Sequence, residues 1–210
     1  MKTKLGLGVL LAACVVALSV PAFAGGNFYG GVSVGLSEAD GLCSDLFPLG
    51  ADSCDDEDTA WKILGGYHIT ERIGVELFYA DFGKFDGSGS FEEFSATGSV
   101  EADGFGLSGV YTYPVNERFG IFGKAGVFRW EAEWSASKSD SFGSVSDSGN
   151  DGRLDLTFGA GAEYALTEDF SLRAEWEWFK DVGAVEVELF DIELDGADVN
   201  FLSLGILFSP

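Results

Sequence analysis

The chain has 210 residues, 46% apolar and 22% charged, with 30 Gly and only 4 Pro; that fits one domain or a single large all-β barrel and excludes a disordered tail or linker. Its 35 Asp and Glu against 12 Lys and Arg give a formal charge of −23, which excludes the cationic footprint that nucleic acid requires. A single His (His68) and a single Met (Met1) remove most His-based metal and general-base schemes, while 19 Phe, 6 Tyr and 5 Trp suit strands and membrane interfaces.

Residues 1–24 read as a secretory signal peptide. Lys2 and Lys4 make a positive start, Leu5 to Val20 is an apolar run, and Ala22-Phe23-Ala24 places cleavage between Ala24 and Gly25. Leu11-Ala12-Ala13-Cys14 also has the form of a lipoprotein signal. Cleavage there would leave the greasy segment Val15 to Ala24 at the new terminus, so Cys14 reads better as apolar filler. Removing 1–24 takes away Lys2 and Lys4 and no acid, leaving 10 basic and 35 acidic residues, net −25. Residues 25–210 are then one barrel domain.

No later apolar run approaches the roughly 18–20 residues of a membrane helix. Eight segments alternate with period 2 instead, at about 27–36, 59–69, 73–83, 98–113, 118–134, 153–166, 170–180 and 197–208. Tight connections at 70–72, 114–117 and 167–169 alternate with long polar stretches at 37–58, 84–97, 135–152 and 181–196. Such a layout predicts an antiparallel meander with every long loop at one end, as in an outer-membrane barrel.

The phase of the strands says which face is inside. Within 73–82, Ile73, Val75, Leu77 and Tyr79 oppose Gly74, Glu76, Phe78 and Ala80. Within 153–166, Leu154, Leu156, Phe158 and Tyr164 oppose Asp155, Thr157, Gly159 and Glu163. Within 170–179, Phe170, Leu172, Trp176 and Trp178 oppose Ser171, Arg173, Glu175, Glu177 and Phe179. In 201–208, Leu202, Leu204, Ile206 and Phe208 oppose Ser203 and Gly205. An eight-stranded barrel holds only modest side chains, so the rings of the apolar faces do not fit inside. The small residues Gly74, Ala80, Gly106, Ser108, Gly126, Gly159, Gly161, Ser203 and Gly205 all share the charged face, as a crowded lumen needs. The charged face therefore points inward and the apolar face meets lipid. The predicted fold is all-β, an eight-stranded antiparallel up-and-down transmembrane β-barrel. Strands of about 10 residues tilted near 40° span roughly 25 Å of hydrocarbon. Outward Tyr67, Tyr113, Phe119, Tyr164, Phe170 and Phe208 form an interfacial girdle beside the tight turns.

Several candidates lie outside this pattern. Cys43 and Cys54 sit in a polar stretch of an exported chain and are predicted to form one disulfide; two Cys alone cannot fill a zinc site. Stretch 37–58 holds eight acids and no base. It is either a solvated, self-repelling loop, the favoured reading, or a divalent-cation bridge to lipopolysaccharide phosphates. Asp191-Ile192-Glu193-Leu194-Asp195-Gly196 imitates a calcium loop, but Leu202 stands where the bidentate Glu belongs. His68 falls on the inward face near a short turn, the wrong end for a lipid-hydrolase triad, so no enzyme is expected. Trp130, Glu131, Glu133 and Trp134 lie at the far rim as a girdle or a partner contact, and Ser-rich 135–149 reads as a flexible external loop.

Gly65-Gly66-Tyr67-His68-Ile69-Thr70, Gly74-Val75-Glu76 with Tyr79, Tyr113-Pro114, Gly161-Ala162-Glu163-Tyr164-Ala165-Leu166-Thr167, Leu172-Arg173-Ala174-Glu175-Trp176 and Leu202-Ser203-Leu204-Gly205 follow in order. In that order the sequence resembles the transmembrane domain of the OmpA-like outer-membrane β-barrel family, over essentially all of 26–208 except the long loops. The resemblance implies a monomeric, non-enzymatic barrel of a Gram-negative outer membrane, with envelope-structural and surface-contact roles; a narrow ion or small-solute channel is the alternative. It implies no cofactor and no metal. The implied partners are outer-membrane lipid, lipopolysaccharide, the barrel-insertion machinery and an unnamed contact at the loops. It puts Glu76, Lys124, Glu163 and Arg173 on inward positions that pair across the lumen, and a further basic position of the family falls on Val110. Glu175 and Glu177 face inward by phase and complete the expected network. Acids outnumber bases in it, so one of Glu175 and Glu177 is expected to hold its proton or face water. The network is either a gate or a set of static pairs; buried charges must pair in both cases. The sequence departs from the family at Phe208-Ser209-Pro210, where the resemblance implies a terminal aromatic, so either insertion is less efficient or the signal shifts to Phe208, and no counterpart of the family's peptidoglycan-binding domain is expected.

Overall fold

Short-range chemistry sets the turns. Thr70 Oγ1 accepts hydrogen bonds from the N–H groups of Arg72 and Ile73, Asn116 Oδ1 from Arg118 and Phe119, and Thr167 Oγ1 from Asp169 and Phe170. One side chain thus satisfies two otherwise free donors at each tight connection and holds the chain in reversal. A computed structural model describes residues 27–43, 52–90, 94–183, 185–187, 192–194 and 196–210. The expected signal peptide and its Ala24–Gly25 junction lie outside the described residues, as do Asp191 and Asp195 of the calcium-loop imitation.

The strands are β1 (Phe28–Asp40), β2 (Ser53–Asp55), β3 (Glu57–His68), β4 (Ile73–Ser90), β5 (Phe94–Pro114), β6 (Phe119–Asp140), β7 (Gly143–Ala165), β8 (Phe170–Val182), β9 (Val185–Val187), β10 (Ile192–Leu194) and β11 (Ala197–Phe208). The eight long ones pair antiparallel in the order β1-β3-β4-β5-β6-β7-β8-β11. Strand β11 then pairs with β1 from Gly30↔Phe208 to Asp40↔Asp198, so the ring closes. Closure leaves no sheet edge inside the hydrocarbon, the condition lipid imposes on a strand-built span. Strand β2 adds to the top of β4, and β9 pairs with β10 in a small separate hairpin.

The predicted inside and outside are those observed. Leu77, Leu107, Leu204 and their neighbours face outward, whereas Glu76, Lys124 and Glu177 are buried. Where large rings turn inward, the opposite strand carries glycine. A Cβ on Gly106 would lie 2.1 Å from the Phe78 ring, one on Gly66 2.1 Å from Tyr29, and one on Gly161 2.5 Å from Phe122.

The structure corrects the loops. Stretches 84–97 and 135–152 were expected to be loops, yet β4 and β5 run to within a few residues of each other, and β6 and β7 reverse at Asp140–Gly143. Asp140 Oδ1 makes that reversal by accepting from the N–H groups of Phe142 and Gly143. The Ser-rich 135–149 stretch is therefore mostly paired strand. Strand β6 has 22 residues, about 70 Å along the strand, where crossing the hydrocarbon takes about 10 residues. Roughly half of it stands outside the membrane. A bulge starts the extension of β4: the register slips between Asp81 and Lys84, with Gly83 at φ 78°. Asp58 Oδ2 accepts the Lys84 N–H there, giving one acid of the 37–58 stretch a structural task.

Candidate functional site

Alternation on five strands delivers charges to the axis of the spanning half: Lys62 from β3, Glu76 from β4, Lys124 from β6, Glu163 from β7, and Arg173, Glu175 and Glu177 from β8. Lys62 bridges Glu175 and Glu177. Lys124 Nζ lies 2.6 Å from Glu175 Oε1 and 3.9 Å from Glu76 Oε2, and also contacts Glu177. Arg173 closes the cluster, 2.7 Å from Glu76 and, through Nε and Nη2, 2.8 and 2.6 Å from Glu163. The Tyr29 hydroxyl donates to Glu76 Oε1 at 2.8 Å. Burying a lone ion costs several kcal/mol, and this mesh of shared partners is what offsets it.

All six expected network residues meet in this cluster. Lys62 was missed, although its phase opposite Trp61 and Ile63 was readable. It changes the charge balance: Glu175 and Glu177 each face two ammonium groups, so neither is the acid left to water that a cluster without Lys62 would require. Val110 is buried and supplies no charge, as its side chain dictates.

Above the charges the lumen changes character. Phe78, Phe82, Phe128, Phe179 and Phe201 are almost wholly buried on the axis. Phe128 and Phe179 centroids are 4.9 Å apart, Phe82 and Phe179 4.8 Å, both edge-to-face, and Phe78 stacks on Phe128 at 5.9 Å. The two layers touch: Lys124 Nζ lies 5.3 Å from the Phe78 centroid, and Lys62 Nζ 5.9 Å from those of Phe78 and Phe201. Phe78 and Phe179 were placed inward from the sequence. The apolar layer as a whole was not foreseen, because Phe82 and Phe128 sit where outward neighbours are turning polar.

The far rim is a second correction. Trp130 and Trp134 face the interior, Trp130 donating to Asp155 Oδ2 at 2.9 Å, while Glu131 and Glu133 face outward. The upper girdle comes from other rings. Trp61 and Tyr79 centroids are 5.4 Å apart, Tyr79 and Phe105 4.9 Å, and Phe158 stacks on Trp178 at 5.9 Å. At the opposite rim Phe28 meets Tyr67 and Phe170 meets Phe208, as the sequence led us to expect for all but Phe28.

Cys43 and Cys54 are joined, tying the start of the acidic stretch to β2. Of that stretch, Asp45 lies outside the described residues, and Glu38 faces Glu57 across β1 and β3. Among the described residues no three His, Cys, Asp or Glu side chains converge as a metal site. His68 packs on Tyr29 with centroids 4.5 Å apart, at the short-turn end.

A family model described as an OmpA-like transmembrane domain matches residues 24–210. The chain is similar to Outer membrane protein A of Escherichia coli O157:H7, 29% identical over 147 residues, covering 69% of this chain and 37% of that protein. It is 28% identical over 145 residues to Outer membrane protein A of Yersinia pseudotuberculosis serotype I, covering 68% and 37%. The chain thus spans little more than a third of the length of these relatives. Among solved structures, Neisserial surface protein A shares the fold at a TM-score of 0.50 and 14% identity, over 87% of this chain and 97% of that one.

Proposed function

The chain belongs to the OmpA-like transmembrane domain family of the Gram-negative outer membrane, and from that premise we propose a non-enzymatic, envelope-structural barrel that acts by surface contact and not by conduction. One observation carries this reading: the axis is filled twice over, by the Lys62–Lys124–Arg173 cluster with its four glutamates and then by five packed Phe rings. A water file would have to break buried ion pairs and open an aromatic layer in the same event, and the two losses add. The ion pairs are static supports in this reading. The monomer is the working unit, the insertion machinery places it, and lipid and lipopolysaccharide surround the barrel.

Planar-bilayer conductance of the refolded chain, beside Lys124→Ala and Phe82→Ala, tests the reading. Insertion is established separately by a shift in gel mobility on boiling. We expect silence from the parent chain and at most brief steps from either single variant, because the other layer remains. Regular conductance steps from the parent chain would replace this reading with the channel.

A further inference from the structure

The outward face of β4–β7 changes by layers along the strands. In the membrane, one rung across the four strands is Leu77–Leu107–Val127–Leu156. Next comes Tyr79–Phe105–Arg129–Leu154, and above it an acidic rung, Asp81–Asp103–Glu131–Gly152. Past the Gly83 bulge the rung Lys84–Glu101–Glu133–Asn150 is mixed, with Lys84 3.3 Å from Glu101.

From there outward the face is almost all hydroxyl. Successive rungs are Asp86–Ser99–Ser135–Ser148, then Ser88–Thr97–Ser137–Ser146, then Ser90–Ser95–Ser139–Ser144. One carboxylate among twelve side chains makes this an area of low charge on a chain of formal charge −23. Sheet geometry spaces the hydroxyls by about 4.8 Å across strands and about 6.7 Å along them. The lower two of these rungs, with Lys84 and Asp147 at their margins, line a concavity of about 660 Å³. Neighbouring hydroxyls are already ordered: Thr97 Oγ1 lies 2.7 Å from Ser137 Oγ, and Ser99 Oγ 2.9 Å from Ser135 Oγ. Each such pair uses one donor and one acceptor, leaving one donor and three acceptors aimed outward. Behind the lowest of these rungs Phe85, Val100 and Trp134 are buried, so the hydroxyl side is the one turned to the surroundings there, while further out the reverse carries Gly87, Gly98, Ala136 and Asp147, then Gly89, Ala96, Lys138 and Val145.

We propose that this hydroxyl face is a binding site for the neutral saccharide chain of the glycolipid standing beside the barrel in the outer leaflet. Two observations select that occupant. The face is continuous with the lipid-facing belt on the same strands, and its first hydroxyl rung lies three rungs above the Phe105 girdle, about 15 Å beyond the hydrocarbon at a 40° tilt. That is above the acidic rungs, which stand at the depth of headgroup phosphates, and level with the sugars attached to them. The chemistry also matches: an array of paired hydroxyl donors and acceptors suits hydroxylated rings, and among the described residues of this face no basic cluster is present to hold a polyanion. The proposal rests on the outer-membrane reading above and deepens its surface-contact role.

The test uses the full chain refolded in phosphatidylcholine vesicles and the water-soluble oligosaccharide released from lipopolysaccharide by mild acid, with saturation-transfer NMR on the sugar protons. Saturable binding is expected for the parent chain, at least tenfold weaker in Thr97→Val/Ser99→Ala/Ser135→Ala/Ser137→Ala. Ser137→Trp, which fills the concavity and keeps the other hydroxyls, is expected to give the same loss. Both variants are to retain the boiling-dependent gel shift; Glu101→Gln/Glu133→Gln and added EDTA are to leave binding unchanged. Parent-like binding by the fourfold variant overturns the proposal, and so does loss on EDTA, which would assign the contact to cation-bridged phosphate. Equal binding of maltohexaose, a free glucan, overturns the choice of the leaflet's own glycolipid. A parent chain that forms no heat-modifiable barrel overturns the outer-membrane reading together with this one, whereas a folded barrel that binds no saccharide overturns this one alone.

Discussion

Strand β6 carries two opposite arrangements on one continuous ribbon. In its membrane half Ile121 and Val127 face out and Lys124 faces in; in its outer half Glu131, Glu133 and Ser135 face out and Trp130, Ala132 and Trp134 face in. The side-chain period never breaks, since its pairing with β5 runs without a slip from Phe94↔Asp140 to Pro114↔Gly120. What changes is the solvent. Lipid wants apolar side chains outside and leaves the polar ones to pair on the axis; water wants the reverse, and the same backbone serves both. The charged and aromatic layers of the lumen are the inner side of that inversion.

Removing charge balance from the membrane half should have the largest effect. Lys62→Met leaves Glu175 and Glu177 sharing Lys124 in a dry lumen, and about 3–5 kcal/mol of stability should be lost. Urea unfolding in vesicles reads this directly, and Lys62→Met with Glu177→Gln should recover part of the loss. A parent-like midpoint for the single variant would mean that the cluster is wet enough to tolerate a lone carboxylate. In the apolar layer above, Phe82→Ala opens a cavity among three ring contacts and should cost about 3 kcal/mol by the same measurement.

The inversion itself is tested on its outward face. Ala125→Lys puts a charge near mid-depth in lipid and should cost about 2–4 kcal/mol, while Glu133→Lys, eight residues along the same face, should stay within about 0.5 kcal/mol. Equal effects at the two sites would mean that the hydrocarbon boundary is not near Arg129. Smallest of the expected losses is that of Gly106→Ala, whose Cβ meets the Phe78 ring: overpacking of about 1–2 kcal/mol, seen as a lowered midpoint with the gel shift retained.

The membrane half was legible from the sequence because lipid and lumen impose contrasting hydropathy on successive residues. Ile73–Val75–Leu77 against Gly74–Glu76–Phe78 fixes strand, face and span in one reading. The outer half was not legible in that way. In 135–149 neither face is apolar throughout, with Ser135 and Ser137 on one side and Ala136 and Lys138 on the other, so no alternation of hydropathy marks a strand. Trp130 and Trp134 misled for a related reason: aromatic residues near a membrane rim suggest a girdle, and only the phase shared with Lys124 turns them inward. Lys62 carries the same phase signal, opposite Trp61 and Ile63, but lies outside the family positions that the resemblance places in the lumen.

The sequence alone determined the eight-stranded barrel, its inward charges and its outer-membrane setting, since each follows from a two-residue period measured against lipid. The tertiary structure decided which charges touch, that an aromatic layer closes the axis above them, and that the polar stretches continue as a sheet with a hydroxyl face. Those are properties of register, the alignment of residues that stand from about 45 Å to several hundred ångströms apart in an extended chain. No local pattern encodes an alignment; it is set when β11 meets β1 and the ring closes.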